Sequence, residues 1–326
     1  MKVAVVGAGA WGTALAKLLV DAGRDVVLWS HRPEGLQEIA SSRRFERGLP
    51  GVELPLALRY ETDLARAIEG RDYVVISVPS KVFRSVCLRI AGFKGVVVST
   101  SKGIEFETGF TMCDIIRATI PGAAPAALSG PSLALEVARS IPSACVAAAG
   151  DAATAQAVQA LFHCPSFRIY TNTDLQGVEL GGALKNIFAI AAGVGDGLGF
   201  GDNAKASLIT RALAEMRRLG VACGAQAETF SGLSGLGDLT VTCFSKLSRN
   251  RTFGEQLGRG GNADQLLANA KSVVEGFPTS KSARHLARRL GVDSPIIDEV
   301  YAMLYEAKPA KVAVRDLTAR ESKAED

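Results

Sequence analysis

The six residues Gly7-Ala8-Gly9-Ala10-Trp11-Gly12 spell G-x-G-x-x-G between the apolar run Val3–Val6 and a helical pattern from about Ala10 to Ala22. In that setting the first glycine permits a tight turn and the second lets backbone approach a pyrophosphate. The third lets the helix pack against the strand. The pyrophosphate then sits at the helix amino terminus, where amides and dipole favour an anion. Glycine-rich turns are common, so it is the strand-turn-helix context that makes the string a dinucleotide site. The next strand closes on Ser30-His31-Arg32, where an NAD-selective site carries an acid for the ribose 2′-hydroxyl. A cation there suits a 2′-phosphate. NADP is therefore favoured over NAD, against the plainer reading of Arg32 as a solvated loop residue.

Histidine is scarce. His31, His163 and His285 are the only three, and none has an evident acidic partner, so lysine is the better candidate for moving protons. Lys102, in Ser99-Thr100-Ser101-Lys102-Gly103, follows a strand at the carboxyl edge, where open α/β sheets bind ligands. Lys185, in Gly181-Gly182-Ala183-Leu184-Lys185-Asn186, lies within a helical pattern. Each glycine there costs ~1 kcal/mol relative to alanine. The pair precedes Lys185 by four and three positions, on its own helix face, and clears room for a close neighbour. Ser129-Gly130-Pro131-Ser132 follows a strand and offers amides and a hydroxyl to an anion. Ser248-Arg249-Asn250, ten residues after Asp238, joins a cation to two hydrogen-bonding side chains. That combination suits a phosphate.

These residues need a scaffold of alternating elements. Short apolar runs at Val3–Val6, Val26–Trp29, Tyr73–Val78, Val96–Ser99 and Ala126–Leu128 alternate with helical or turn-rich stretches. The alternation predicts a parallel, doubly wound sheet. Ala144–Ala148 and Phe167–Tyr170 are two further strand candidates. After Tyr170 the signals are helical, and Thr173 with Gln176 reads as a capping box opening a long helix. The fold expected is an α/β Rossmann-like domain, 1–172, followed by an all-α domain, 173–326. The polar tail, 321–326, is expected to fray.

Composition agrees with a folded globular protein. The chain has 326 residues, 48% of them hydrophobic and 21% charged, which excludes dominant disorder. Its 37 basic and 33 acidic residues leave a net charge of +4, too balanced to mark a nucleic-acid binder. The six cysteines form no Cys-x-x-Cys pair, so no zinc or dithiol site is expected. No uninterrupted apolar stretch reaches the ~18–20 residues of a membrane span, and no leader is evident. A cytoplasmic protein is expected.

Taken together, Gly7–Gly12 with Trp11, Ser99–Gly103, Ser129–Ser132, Leu184–Asn186, Leu236–Leu239, Ser248–Asn250 and Val274–Gly276 resemble the bacterial NAD(P)-dependent glycerol-3-phosphate dehydrogenases. The resemblance runs from residue 1 to roughly 315. It implies reversible reduction of dihydroxyacetone phosphate to sn-glycerol 3-phosphate, the backbone of membrane phospholipids. By position, Lys185 resembles the catalytic proton acceptor. Lys102, Gly130, Ser132, Asp238, Ser248, Arg249 and Asn250 resemble substrate contacts. Gly7, Gly9, Ala10, Trp11, Gly12, His31, Arg32, Lys102, Ala134, Arg249, Val274 and Glu275 resemble cofactor contacts. Many relatives have serine where this chain has Ala10, so that hydroxyl is lost and only the amide can serve. The resemblance also implies a homodimer by analogy. Hydroxyacid or 6-phosphogluconate-type dehydrogenases share the two-domain plan and the lysine, but Asp238 and Ser-Arg-Asn favour glycerol phosphate. A nonenzymatic NADP sensor would have little use for two lysines and a phosphate clamp.

Overall fold

The computed structural model describes residues 1–270, 273–321 and 324. Of the tail expected to fray, residues 322–323 and 325–326 lie outside that set. The chain forms two compact units, one of Met1–Glu105 and Phe110–Glu179, the other of Phe106–Gly109 and Leu180–Asp326. In the first, β1 (Lys2–Val6), α1 (Ala10–Asp21), β2 (Asp25–Trp29), α2 (Pro33–Ser42), β3 (Arg59–Glu61) and α3 (Leu64–Ile68) are followed by β4 (Tyr73–Ile76), α4 (Ser80–Arg89), β5 (Gly95–Ser99) and α5 (Met112–Thr119). Then come β6 (Ala123–Ser129), α6 (Ala134–Ala138), β7 (Ser143–Ala149), α7 (Ala152–Phe162) and β8 (Phe167–Asn172). The second unit is helical: α8 (Leu175–Gly197, its first turn still in the first unit), α9 (Asp202–Ala222), α10 (Asp238–Phe244), α11 (Arg249–Gly258), α12 (Ala263–Ala268), α13 (Gly276–Arg289), α14 (Pro295–Tyr305) and α15 (Ala310–Thr318).

The strands make one eight-stranded sheet in the order β3-β2-β1-β4-β5-β6-β7-β8. β1 is buried continuously from Val3 to Val6, as a parallel strand covered on both faces must be. β8 instead alternates, with Phe167 and Ile169 buried and Arg168 and Tyr170 exposed, because an edge strand needs only one apolar face. The expected parallel sheet is found from β3 through β6, and β7 pairs antiparallel with β6 through Ala126↔Ala149 and Ser129↔Val146. The link between them holds only the five-residue α6, about 7 Å long. Residues 130–142 thus lack the longer helix that usually carries a crossover between parallel strands.

The capping expectation at Thr173 shifts by one residue. Asp174 Oδ1 accepts from Gly177 N at 2.9 Å, so the carboxylate satisfies the orphan amide at the start of α8 in place of the threonine hydroxyl. α8 is the one helix among the described residues long and apolar enough to cross a bilayer, with a mean hydropathy of 1.2 over its most apolar window. Yet 94% of that window is buried in protein, and Glu179 and Lys185 interrupt it. It is a core helix.

Buried Glu215 of α9 fixes α14 by accepting from Ile296 N at 3.0 Å and Ile297 N at 2.9 Å. Burial pushes its carboxyl up from 4.5 to about 7, against the lowering effect of those two bonds. The folded chain therefore binds more protons than the unfolded chain between those values, and this group's contribution to stability falls as pH rises through the window. Melting temperature followed from pH ~5 to ~8 should decline less steeply in Glu215→Gln than in the unsubstituted protein. Equal slopes would refute the assignment.

Candidate active site

Strands β1, β2, β4, β5 and β6 run parallel in register. Their carboxyl ends therefore deliver Gly7–Gly12, Ser30–Arg32, Thr100–Gly103 and Gly130–Ser132 to one edge of the sheet, the ligand edge of such folds. A Cβ on Gly7, whose φ is +120°, would collide with Ser77 O, and one on Gly12 would collide with Gly7 O. A Cβ on Gly9 would meet nothing within 4 Å. The turn is thus tight where helix meets strand and open where a pyrophosphate would lie, and Gly9 caps α1 with no side chain over the first-turn amides. The cradle fits a dinucleotide. Trp11, Ala10 and Ala134 come together against a small cluster of Ala14, Leu49, Val52 and Ala138. His31 and Arg32 are exposed, while buried Ser30 accepts from Arg32 N at 3.1 Å and shapes the turn that presents them.

Lys102 is half-buried on the loop after β5. Ser101 pins that loop, its Oγ donating to Val78 O at 2.6 Å and accepting from Val78 N at 3.2 Å. On the neighbouring loop Ser132 Oγ donates to Gly130 O at 3.0 Å.

In the helical unit, Lys185 is buried and its Nζ donates to Asp238 Oδ1 at 2.9 Å and to Thr242 Oγ1 at 2.7 Å. Thr242 in turn donates to Asp238 O at 2.6 Å. The room cleared by Gly181 is occupied by backbone: a Cβ there would sit 2.8 Å from Ser234 O. That close approach brings the π-helical turn Leu233–Gly237, and with it Asp238, against α8. A buried ammonium requires such partners. Cys243, next along α10, is pushed up to about 12 by burial although the Lys185 and Lys205 charges oppose this, so it stays a neutral thiol.

Ser248-Arg249-Asn250 opens α11. Ser248 Oγ accepts from Arg251 N at 3.2 Å as the helix cap. Asn250 braces three elements, its Nδ2 donating to Asn186 Oδ1 at 2.8 Å and its Oδ1 accepting from Gly276 N at 2.9 Å. Gly276 follows buried Val274 and half-buried Glu275. Arg249 is exposed. Partial desolvation lowers its pKa and the Glu275 charge opposes that; an exposed guanidinium stays cationic in either case.

Sequence reasoning missed Thr242 and Asn186 as members of this cluster. The available signal for Thr242 was its position one helical turn after Asp238, on the same face.

A glycine-cradled Rossmann sheet, followed in the chain by helices that bury a lysine against a carboxylate and a hydroxyl, defines a nicotinamide-dependent dehydrogenase. Residues 2–155 match the NAD-dependent glycerol-3-phosphate dehydrogenase amino-terminal family and residues 174–315 the corresponding carboxyl-terminal family. The chain is 50% identical over 330 residues to glycerol-3-phosphate dehydrogenase [NAD(P)+] of Geobacter sulfurreducens, covering 99% of this chain and 98% of that one. It is 48% identical over 334 residues to the protein of the same name from Chlorobium phaeobacteroides, covering 100% and 99%. The crystal structure of glycerol-3-phosphate dehydrogenase from Coxiella burnetii superimposes with a TM-score of 0.94 at 36% identity, covering 98% and 99%. The chain belongs to the NAD(P)-dependent glycerol-3-phosphate dehydrogenase family.

Proposed function

We propose that this protein reversibly reduces dihydroxyacetone phosphate to sn-glycerol 3-phosphate and so supplies glycerophospholipid synthesis in the cytoplasm. Residues 1–172 bind the dinucleotide and residues 173–326 the substrate. The observation that carries the reading is the buried Lys185 held by Asp238 and Thr242. When bound, NAD(P)H supplies the hydride. Lys185 gives a proton to the carbonyl oxygen in reduction and takes it from the hydroxyl in oxidation. Asp238 and Thr242 accept from the ammonium and fix its position. Lys102 polarises the ketone, and Arg249 grips the phosphate at the start of α11 beside Ser248 and Asn250, where the helix dipole also favours an anion. Gly130 and Ser132 complete the substrate contacts. Ala10, Trp11, Ala134, Val274 and Glu275 line the cofactor with the glycine turn. Loss of absorbance at the reduced-nicotinamide band on adding dihydroxyacetone phosphate tests the reaction, and an inert enzyme with either cofactor would refute it. A solution mass twice that of the chain tests the homodimer implied by analogy.

Arg32 sets the cofactor preference in this reading. Arg32→Asp should lower the ratio of NADPH to NADH affinity by about ten- to a hundredfold, the scale of one charge-assisted hydrogen bond. An unchanged ratio would remove Arg32 from the site.

A further inference from the structure

Lys205 is the fourth residue of α9, where the helix dipole disfavours a cation. What holds it there lies on neighbouring helices. The side chain is 12% exposed, and its Nζ lies 2.7 Å from Asp196 Oδ1, near the end of α8. The same Nζ stands 5.1 Å from the centre of the Phe244 ring, at the end of α10. The other Asp196 oxygen, Oδ2, pairs with Arg251 of α11 at 2.6 Å. One carboxylate thus takes two cations, and α8, α9, α10 and α11, all of the helical unit, meet around it. A cation over an aromatic face gains most when it is withdrawn from water, and Lys205 is so withdrawn.

The seven residues of α10 carry this contact and the Lys185 contact two positions apart. Thr242 Oγ1 accepts from Lys185 Nζ at 2.7 Å, and Phe244 receives Lys205. Between them Cys243 is wholly buried, and the charges of Lys185, Lys205, Asp196 and Asp238 all bear on its thiol. The two ion pairs therefore flank one buried side chain. A helix this short has little stability of its own, so contacts at its ends decide where its side chains stand. The packing of Ser234 and Gly235 on Gly181 places the turn that leads into it. We propose that Lys205 is a positioning residue, which ties the end of α10 to Asp196 and so holds the Thr242 hydroxyl on the Lys185 ammonium. The proposal rests on the reading of Lys185 as the proton-transfer group. With α10 untied, the ammonium loses its alignment with the oxygen it serves, and misalignment is costly in rate.

Turnover of dihydroxyacetone phosphate by the full-length enzyme tests the tie. Lys205→Met keeps the apolar stem and removes the charge, and kcat should fall about tenfold, within the range of a misplaced group. KM should hold, because the Asp196–Arg251 pair remains; that split marks an interaction that counts only in the transition state. Lys205→Arg, which keeps the charge, should restore most of the rate. Phe244→Leu should reproduce the loss. Phe244 is 48% exposed, so this variant tests the same tie even if Lys205→Met does not fold. In a Thr242→Val background, which has no hydroxyl to hold, Lys205→Met should cost less than about twofold further. A normal kcat in Lys205→Met or Phe244→Leu, no rescue by arginine, a costless Thr242→Val, or full additivity with it overturns the tie alone. Near-normal turnover in Lys185→Ala overturns the reading of Lys185, and with it the role given to Lys205.

Discussion

Lys185→Ala should cut turnover by about two to four orders of magnitude, the usual loss for a general acid–base group. The side chain is buried beside Asp238 and Thr242 at hydrogen-bond distance, so no solvent-exposed group can take its place without rearrangement. The substitution also takes the Lys185 ammonium away from Asp238, which is 2% exposed. Breaking a buried pair in this way costs about 3–5 kcal/mol of stability. Two controls separate that loss from the chemical one. NADPH affinity should survive, because the glycine turn that cradles its phosphates belongs to the sheet-bearing unit. A small alkylammonium ion added to the alanine variant should restore part of kcat by refilling the space between Asp238 and Thr242. An active variant, or one that fails to bind NADPH, would move the proton-transfer role elsewhere, with Lys102 next to be tested.

What the sequence disclosed and what it hid divide along a physical line. Gly7–Gly12 was legible because its requirements are local: a strand, a turn with positive φ at Gly7 and a helix start all lie within a few residues. Gly181 was legible for a related reason, since glycine inside a helix is costly without a close neighbour, and the neighbour is the Ser234–Gly235 backbone. Thr242 was hidden because its partner lies 57 residues away, and a threonine on a short helix carries no signal of its own. The direction of β7 was hidden because apolar periodicity is the same for parallel and antiparallel pairing. β3 was hidden because three residues, Arg59–Glu61, are too few to show a period. Asp174 displaced Thr173 as the cap because adjacent capping residues compete and only the backbone path decides between them.

The spacing of Lys185 from the head of α11 is set by backbone contact, which is why Arg249 should control turnover as well as binding. A Cβ on Gly193 of α8 would collide with Arg251 O, and one on Gly254 of α11 with Ile190 O. The two helices thus cross as closely as their main chains allow. The Asp196–Arg251 ion pair at 2.6 Å and the Asn250–Asn186 bond hold the same crossing. A phosphate gripped by Arg249 is therefore held at a fixed reach from the lysine. A guanidinium meets phosphate through two parallel hydrogen bonds, whereas lysine offers a point charge. Arg249→Lys should raise KM for dihydroxyacetone phosphate about tenfold, and Arg249→Ala about a hundredfold or more. Both should also lower kcat, because a loosened substrate no longer keeps its carbonyl at the reacting position. Dihydroxyacetone, lacking the phosphate and poor from the start, should be far less affected by either change. If both substrates lose activity by the same factor, Arg249 serves the fold or the cofactor, and its role as the phosphate grip is refuted.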